Sequence, residues 1–376
     1  MIDVFTENYS VLTGLGATVD DNFLSILAGE TSIKSDEFMN EKISVSMIKN
    51  IYSDSDKFSD GIYSKLEKYF ILSISTALSE SSIDPKDSGT VFVISSAKGN
   101  IDNLDSNDPY KIGKGRIKLY EMAEFISGYF KNPNRPVVIS NACISGLSAI
   151  ITARFLIASG QYKNAIVSGG DIVSDFIVSG FSAFKALSPE PCRPFDESRD
   201  GLSLGEACAT IILTADPLGD HPIMIAGAAS SNDANHISGP SRDGSGLNYA
   251  IKSAMTEADI SADEIDSLSS HGTGTVYNDE MESKAFVLAG LNNVPVFSLK
   301  GFFGHTVGAA GIVESVLSIH AMKNNIIMPS GGFKKHGVSG SILISEKTEK
   351  RMNNICLKTG SGFGGCNAGV IFKKHV

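Results

Sequence analysis

The most informative segment of the chain reads Val137-Val-Ile-Ser-Asn-Ala-Cys-Ile-Ser-Gly-Leu147. Its apolar start predicts a strand, and apolar residues at a helical spacing then predict an amphipathic helix: Ile144, Leu147, Ile151 and Phe155. The turn between them places Cys143 at a helix N-terminus, where unpaired backbone N–H groups and the helix dipole favour a thiolate. We therefore expect a reactive thiol with a pKa below the usual value of about 8.5. The alternative is an inert core cysteine, the commoner role of a cysteine in an apolar segment.

The composition describes a folded protein with no bulk attraction to nucleic acid or membrane. The chain has 376 residues, of which 42% are hydrophobic and 20% charged, as in ordinary globular proteins. The net charge of −10 opposes binding to nucleic acid or anionic lipid, and no apolar run is long enough for a membrane span. The N-terminus lacks targeting features, and the five cysteines form no Cys-x-x-Cys pair. We expect a cytoplasmic protein with free thiols and no metal.

Short β-rich runs alternate with helical patterns along the whole chain. The β-rich runs are 90–95, 136–139, 164–168, 210–213, 223–226, 294–298, 342–344 and 369–372. A second helical pattern covers 307–317. This alternation predicts the α/β class. The turn-forming residues 216–220 are a plausible boundary between a first segment, 1–215, and a second, 216–376.

Two histidines lie in glycine-rich turns. His271 begins the sequence His-Gly-Thr-Gly-Thr, and His305 ends the sequence Lys-Gly-Phe-Phe-Gly-His. Glycine neighbours allow a substrate to approach closely, and a neutral imidazole can donate a hydrogen bond to a developing oxyanion. Each histidine on its own could equally be a turn residue bonded to backbone. With Cys143, the pair suggests nucleophilic catalysis.

Five motifs occur together in the order of one known family. They are Asn141-Ala-Cys-Ile-Ser-Gly146, Arg193-Pro-Phe-Asp-Glu-Ser-Arg-Asp-Gly201, His271-Gly-Thr-Gly-Thr275, Lys300 to His305 with Gly308-Ala-Ala-Gly311, and Gly362-Phe-Gly-Gly-Cys-Asn367. This set resembles the β-ketoacyl-[acyl carrier protein] synthases, and the resemblance extends over nearly the whole chain. It implies a thiolase-like fold with two pseudo-symmetric βαβαβαββ halves in a five-layered α/β/α/β/α arrangement. It also implies a homodimer, or a heterodimer with a paralogue, and substrates carried on the phosphopantetheine of acyl carrier protein without any other cofactor.

The resemblance implies a decarboxylative condensation at the junction of the halves, in fatty acid or type II polyketide synthesis, including polyene pathways. Cys143 would hold the acyl group, while His271 and His305 would hold the thioester oxygen of malonyl-acyl carrier protein. The backbone N–H groups of Cys143 and Phe363 would form the oxyanion hole, and Phe363 would also gate the entry of malonyl. Lys300, paired with Glu314, would hold the loop of the second histidine.

Other residues receive weaker assignments from the same resemblance. Thr273 and Thr275 would bond the pantetheine arm, although threonine is also common in turns. Arg116 and Lys118, in the basic run 111–118, would dock the acidic carrier protein unless they are only solvated loop residues. We assign Asp279 and Glu282, near a helix start, to structural roles.

The sequence departs from the family pattern at three places. Ile144 follows the nucleophile where a small residue is usual, and we expect it to narrow the acyl pocket. Gly205-Glu-Ala-Cys-Ala209 replaces a glycine-richer motif, and the region 97–142 is shorter than in common fatty-acid enzymes. The acyl chain length therefore stays open.

Three other functions fit parts of the pattern. A non-catalytic or weakly active chain-length-factor subunit shares the fold but lacks the nucleophile. A chain-initiating synthase or a thiolase would replace the second histidine. A Cys/His hydrolase would leave the remaining motifs unexplained.

Overall fold

The computed structural model describes residues 2–38, 41–49, 62–104, 112, 114–217, 222–236 and 239–375. The strands in these ranges are β1 Phe5–Thr13, β2 Lys34–Phe38, β3 Glu41–Ser46, β4 Thr90–Ser95, β5 Val137–Ile139, β6 Asn164–Asp171, β7 Leu204–Gly205, β8 Ala207–Thr214, β9 Ile223–Asn232, β10 Ser267–Ser269, β11 Pro295–Phe297, β12 Ile326–Ile327, β13 Leu343–Ile344, β14 Glu349–Lys350, β15 Ile355–Gly362 and β16 Cys366–Lys374.

The α-helices in the same ranges are α1 Val19–Leu27, α2 Lys65–Ser79, α3 Leu119–Tyr129, α4 Ser145–Ala158, α5 Asp175–Ala183, α6 Ser245–Ala258, α7 Val276–Leu288, α8 Lys300–Phe303 and α9 Ala310–Lys323. Short 3₁₀ turns span Ile101–Leu104, Lys114–Ile117, Ala262–Glu264 and Val307–Ala309. None of these described helices combines the length and apolarity needed to cross a bilayer.

The strand order shows an internal duplication. Among the described residues, eleven hydrogen-bonded strands form one continuous sheet in the order β13-β11-β10-β15-β16-β9-β1-β8-β6-β4-β5. Numbered along the chain, β1, β4, β5, β6 and β8 follow the order 3-2-4-5-1, and β9, β10, β11, β15 and β16 follow the same order. In each set, the fifth strand is antiparallel to both neighbours and the second to fourth strands are parallel. The sequence therefore contains two similar halves, although the boundary placed at 215/216 stays a prediction, and residues 218–220 lie outside the described ranges.

The helices complete five layers around these strands. Helices α2 and α3 pack on the outer face of the first half, and α6 and α7 pack on the outer face of the second. Helices α4 and α9 lie between the halves and contact each other and strands of both. This α/β/α/β/α arrangement confirms the predicted fold class.

The middle layer corrects one expectation about α4. The sequence predicts an amphipathic helix with Phe155 on its apolar face, but Phe155 is 65% exposed, while Ala149, Ile150 and Ala153 are fully buried. A helix sandwiched between two sheets buries most of its circumference, so its sequence is apolar nearly all round. The spacing of apolar residues therefore predicted the helix correctly, but it placed Phe155 on the buried face, whereas Phe155 faces solvent.

All eight predicted β-rich runs overlap strands, whereas the other eight described strands were not predicted, among them β1, β10 and β15 of the large sheet. Strand β10 consists of Ser267–Ser269, and the buried β15 contains Lys358, Thr359 and Gly360. These residues lack the β-branched and apolar pattern on which a strand prediction rests. Their burial depends on partners supplied by other parts of the fold.

The fold brings several loops to one place. Cys143 follows β5, His271 follows β10, and His305 lies in the connection from β11 to α9. Strands β5, β10 and β11 all belong to the parallel parts of their halves. The loops at the carboxyl ends of parallel strands are common positions of α/β active sites, and here both halves direct them toward the middle layer.

Candidate active site

Cys143 lies in a tight turn just before α4. Ala142 has a positive φ of 45°, and the backbone N–H of Ile144 donates to the Asn141 carbonyl at 3.2 Å. The Ser145 hydroxyl accepts a hydrogen bond from the Asn141 N–H at 2.8 Å, which closes the turn. Cys143 is only 7% exposed. Cys143 therefore lies just before the start of α4, as predicted, but its side chain is almost fully buried.

This burial changes the pKa of the Cys143 thiol in the direction opposite to the one expected. Burial raises the pKa of Cys143 to about 12, and the neighbouring Cys366 thiol adds to the increase, while Lys300 and the backbone N–H of Phe363 act against it. The expectation of a lowered pKa was therefore wrong for this site, because desolvation of a thiolate outweighs the helix terminus. Cys143 is a thiol at neutral pH and must lose its proton during the reaction.

The two histidines lie beside that thiol. The imidazole rings of His271 and His305 are perpendicular, with centroids 5.1 Å apart, and one nitrogen of each lies within 4.8 Å of the Cys143 sulfur and of the other. Burial first, and the Lys300 ammonium second, lower the pKa of both imidazoles well below 6.5. Both rings are therefore neutral at neutral pH. The structure thus places the three predicted residues in one buried site.

His271 is held in one tautomer by a buried lysine. The Lys300 ammonium lies 3.3 Å from His271 Nδ1, donates to the His271 carbonyl oxygen and forms a 2.5 Å ion pair with Glu314. Because an ammonium can only donate, Nδ1 is the acceptor and Nε2 carries the proton. Lys300 and Glu314 pair as predicted, but the ammonium contacts the first histidine and not the second. The resemblance identified the pair and assigned it to the loop of His305, but it did not indicate the contact with His271.

His305 is anchored through its backbone instead. Its N–H donates to the Ser203 carbonyl at 2.7 Å, and its carbonyl accepts from the Gly205 N–H at 3.0 Å. Gly304, with φ +75°, lies where a Cβ atom would meet the Leu204 carbonyl at 2.5 Å. Among the described residues, neither imidazole nitrogen of His305 has a hydrogen-bond partner. A 1% exposed ring with two unpaired nitrogens can bond a substrate directly.

Two carboxylates fix the loop that carries His271. Glu282 accepts from the backbone N–H groups of His271 at 2.8 Å and Gly272 at 2.6 Å, and Asp279 accepts from Thr273 at 2.9 Å. Burial raises the pKa of Glu282 to about 7, and the nearby Asp279 adds to the effect. These contacts support the structural role assigned to both residues.

Two cavities meet at Cys143. The larger, of about 1300 Å³, is lined mainly by apolar residues from α5, by the 97–104 segment and by Cys143. The smaller, of about 360 Å³, contains His271, His305 and both predicted threonines, Thr273 and Thr275. The threonine hydroxyls are 2.9 Å apart. The nucleophile can therefore be reached from two sides.

Phe363 lines both cavities. Its backbone N–H donates toward the Cys143 sulfur, and its ring centroid lies 5.6 Å from that of Phe181 and 5.1 Å from that of Phe184. The position fits the predicted oxyanion and gate assignments, which stay predictions. Sequence reasoning missed Phe181 and Phe184, although their spacing of three places them on one side of a helix.

Sequence reasoning also missed two buried charges. Asp171, at the end of β6, accepts from the Ser96 hydroxyl and from the Gly308 N–H at 2.8 and 2.7 Å, and so links the first half to the His305 segment. Burial raises the pKa of Asp171 to about 6. Lys358, on β15, forms a 2.7 Å ion pair with Glu314. Neither residue belongs to a recognisable motif.

The structure corrects one of the departures from the family pattern. Ile144 was expected to narrow the acyl pocket, but its side chain is 1% exposed, packs in the middle-layer core and lines neither cavity. Glu206, in the second departure, is buried and forms a 2.6 Å ion pair with Lys65. The residues that differ from the usual motif there, Ala207, Cys208 and Ala209, are fully buried on β8, so core positions account for the unusual residues.

The two proposed docking cations differ in their surroundings. Arg116 pairs with the buried Glu67 at 3.3 Å and lies over the Phe125 ring at 3.8 Å, so much of its side chain is engaged internally. Lys118 is 62% exposed and pairs with Glu121 at 3.1 Å. Carrier docking by either residue stays a prediction. Lys111 and Gly113 of the basic run lie outside the described residues, as does the side chain of Lys114.

A thiol and two imidazoles are also atom types that bind Zn²⁺. The ammonium groups of Lys300 and Lys358 both act electrostatically on His271 and would oppose a dication there. The absence of a metal from this cluster stays a prediction.

Comparisons with known proteins agree with this geometry. Residues 10–217 match the family described as beta-ketoacyl synthase, N-terminal domain, and residues 223–334 match beta-ketoacyl synthase, C-terminal domain. The chain belongs to the β-ketoacyl synthase family. One similar β-ketoacyl synthase is the 3-oxoacyl-[acyl-carrier-protein] synthase 2 of Rhizobium meliloti, 34% identical over 285 residues, which cover 71% of this chain and 67% of that protein. The Vibrio harveyi enzyme of the same name is 27% identical over 99% of this chain and 98% of its own.

Solved structures of β-ketoacyl synthases support the same fold. A ketosynthase in complex with its chain length factor from Xenorhabdus doucetiae has a TM-score of 0.86 at 24% identity, over 99% of this chain and 98% of that one. The ishigamide ketosynthase/chain length factor has a TM-score of 0.89 at 21% identity, over 100% and 99% of the two chains. These structures support the fold, and the family matches confirm the predicted family.

Proposed function

We propose that this β-ketoacyl synthase is a 3-oxoacyl-[acyl carrier protein] synthase that joins an acyl group on Cys143 to malonyl-acyl carrier protein with loss of CO₂. The observation that carries the proposal is the buried thiol with two neutral imidazoles, located where two cavities meet. A chain-length-factor subunit would not need this complete set. The catalytic function is therefore favoured over the non-catalytic alternative.

The first step is a thioester exchange. The Cys143 sulfur attacks the acyl thioester, forms a new C–S bond and expels the phosphopantetheine sulfur. The proton leaves Cys143, whose pKa is about 12, and ends on the departing thiol. His305 can relay it, because its imidazole is neutral and both nitrogens lack a partner among the described residues. The backbone N–H groups of Cys143 and Phe363 would stabilise the oxyanion.

The second step uses the imidazoles as donors. The malonyl carboxylate leaves as CO₂, and the electron pair of the broken C–C bond forms an enolate on the thioester. His271 Nε2–H and an N–H of His305 would bond the enolate oxygen. The carbanion then attacks the acyl carbon on Cys143, and the expelled thiolate takes up a proton. Neutral imidazoles suit this step because they donate hydrogen bonds without protonating the carbanion.

The two cavities suggest where the substrates lie. The larger, mainly apolar cavity would hold the acyl chain, and the smaller cavity would hold the pantetheine arm against Thr273 and Thr275. The three phenylalanine rings lie between them, so a swing of Phe363 would connect the two.

A partner subunit is supported by one edge of the sheet. Strand β5, with Val137, Val138 and Ile139, ends the ladder of described strands and is only partly covered. Apolar edge strands are usually protected by pairing or by a covering element. We infer a dimer, with an identical chain or a paralogue, and a carrier protein as the second partner. A cytoplasmic location agrees with the five free cysteines, and no cofactor beyond the carrier's arm is required by the proposed steps.

The test is a condensation assay. Purified protein is incubated with malonyl-acyl carrier protein and acyl carrier proteins loaded with chains of graded length, and product masses are read. We expect 3-oxoacyl products two carbons longer than the primer, together with CO₂. Loading of Cys143 without any product would instead support a weakly active partner subunit, and absence of both would refute the proposal.

A further inference from the structure

Lys358 is a second lysine buried behind the histidines. It is fully buried on β15, and its ammonium donates to the carbonyl oxygens of Ser269 at 3.2 Å, Ser270 at 2.9 Å and Thr359 at 2.8 Å. Two of these carbonyls belong to the residues directly before His271. The lysine therefore holds the backbone from which the histidine loop begins.

Lys358 also changes the charge of the buried network. Glu314 forms one ion pair with Lys300 at 2.5 Å and another with Lys358 at 2.7 Å, so one carboxylate serves two ammonium groups. Burial lowers the pKa of the Lys358 ammonium, while Glu314 and Glu282 act against that shift. With both lysines protonated and Glu314 ionised, the three buried side chains carry one net positive charge. Burying an unbalanced charge is costly, and a purely structural position is usually better served by apolar residues. An excess cation at this place therefore points to a role in the reaction.

Other titratable groups also surround the imidazoles, and one of them, Glu282, interacts electrostatically with both lysines. The other titratable groups near them are Cys143 from the turn before α4, Asp171 from β6, and Asp279 and Glu282 from α7. The three carboxylates each accept at least two backbone N–H groups. Burial is the main cause of the low pKa of both histidines, and Lys300 and Lys358 add to it in each case.

We infer that Lys358 is a positioning residue of the condensing site, which holds the strand before His271 and, with Lys300, keeps a net positive charge behind two imidazoles that must stay neutral. This inference rests on the proposed function. An imidazolium beside the enolate would transfer its proton to the carbanion, giving an acetyl thioester and a neutral imidazole, and the malonyl unit would be lost without condensation. A fixed cation instead strengthens the imidazole N–H donors without supplying a proton.

The inference is tested with Lys358→Gln, which retains hydrogen-bond donors but removes the charge. Removing a cation makes protonation of the imidazoles easier, so we expect their pKa values to rise by about one unit or more. At pH 6, the variant should convert a larger fraction of malonyl-carrier protein to acetyl-carrier protein than it does at pH 8, and a larger fraction than the wild type does at pH 6. Lys323→Gln, on the last turn of α9, is the matched control and should leave the pH profile unchanged.

A double variant separates charge from hydrogen bonding. Lys358→Gln with Glu314→Gln leaves Lys300 as the single charge, which restores the net charge of the wild-type network. We expect its pH profile to return toward that of the wild type. A uniform loss of activity in both variants, with no change in the acidic limb or in the acetyl fraction, would overturn the inference in favour of a structural role.

A measurement independent of turnover keeps the two proposals distinct. The titration of His271 and His305 is followed by NMR in protein labelled at histidine, with each signal assigned from a His→Gln variant. A raised histidine pKa in Lys358→Gln supports the electrostatic role even if the wild type fails to condense substrates. An unchanged histidine pKa in a folded variant refutes that role whatever the assay shows. If Lys358→Gln fails to fold, the same titration in Lys358→Arg should match the wild type, and a changed histidine pKa there would contradict the inference.

Discussion

The loops that follow the third strand of each half occupy equivalent positions but carry different functional groups. In the first half, β5 leads through the Cys143 turn into α4, and in the second, β11 leads through the segment from Lys300 to His305 into α9. The first loop offers one thiol, fixed by backbone and serine hydrogen bonds. The second carries a buried ammonium and an imidazole, next to a carboxylate on α9.

The difference shows how a duplicated scaffold can divide an active site. A nucleophile needs a precise turn with backbone N–H donors and no competing charge, whereas donors for a developing enolate need a fixed electrostatic environment. Under the proposed function, one half supplies the nucleophile and the other supplies the donors for the enolate. Neither loop alone would form the condensing site.

The largest expected effect comes from removing the reactive atom of the first loop. Cys143→Ala should abolish the acyl adduct seen by intact-protein mass spectrometry and lower condensation by roughly 10⁴-fold or more, since nucleophiles contribute effects of this size. Cys366→Ala is the matched control, because that thiol is nearby but lines neither cavity. An adduct that persists in Cys143→Ala would reject the division of roles.

The second loop should have a smaller and more selective effect. His305→Ala removes one donor to the enolate oxygen and also the proton relay of the loading step. We expect decarboxylation of malonyl-acyl carrier protein to fall about 10²- to 10³-fold and acyl loading to fall less, because the backbone N–H groups of Cys143 and Phe363 still stabilise the oxyanion of loading. The two partial reactions are measured as CO₂ release and adduct formation. His320→Ala, further along α9, serves as the control, and equal loss of both reactions in folded His305→Ala would contradict separate roles.

The pH dependence of Cys143 alkylation tests the contrast between burial and the helix terminus. With a thiol pKa of about 12, the thiolate fraction and hence the alkylation rate should rise about tenfold for each pH unit between 7 and 10. Peptide mass spectrometry after iodoacetamide pulses measures this rate at Cys143 alone. A plateau near pH 8 would show instead that the helix N-terminus outweighs burial.

The smallest effect concerns the residue after the nucleophile. Ile144→Val removes one methylene from the core and should lower the free energy of unfolding by about 1 kcal/mol, as measured by denaturant titration. The product length distribution should not change, because Ile144 lines neither cavity. A shift toward longer products would return Ile144 to the acyl pocket.

Much of the site was predictable because its reactive residues occur in short motifs. Cys143, His271 and His305 each lie in a turn whose glycines and small residues are visible in the sequence, and the structure brings the three together. Lys358, Asp171 and Phe184 were not predictable, since each lies in an ordinary-looking segment and functions only through a distant contact. The exposure of Phe155 and the core position of Ile144 were not predictable either, because packing depends on contacts with residues distant in sequence.

The sequence alone determined the α/β alternation, the turn that presents Cys143 and the glycine-rich loops of both histidines, because these depend on local backbone conformation and residue spacing. Only the tertiary structure decided the charge states, because burial and Lys300 act on the thiol and on both imidazoles, and Lys358 acts on the imidazoles, from positions far apart in the chain. Local geometry is set by neighbours in sequence, whereas desolvation and electrostatic interactions depend on neighbours in space.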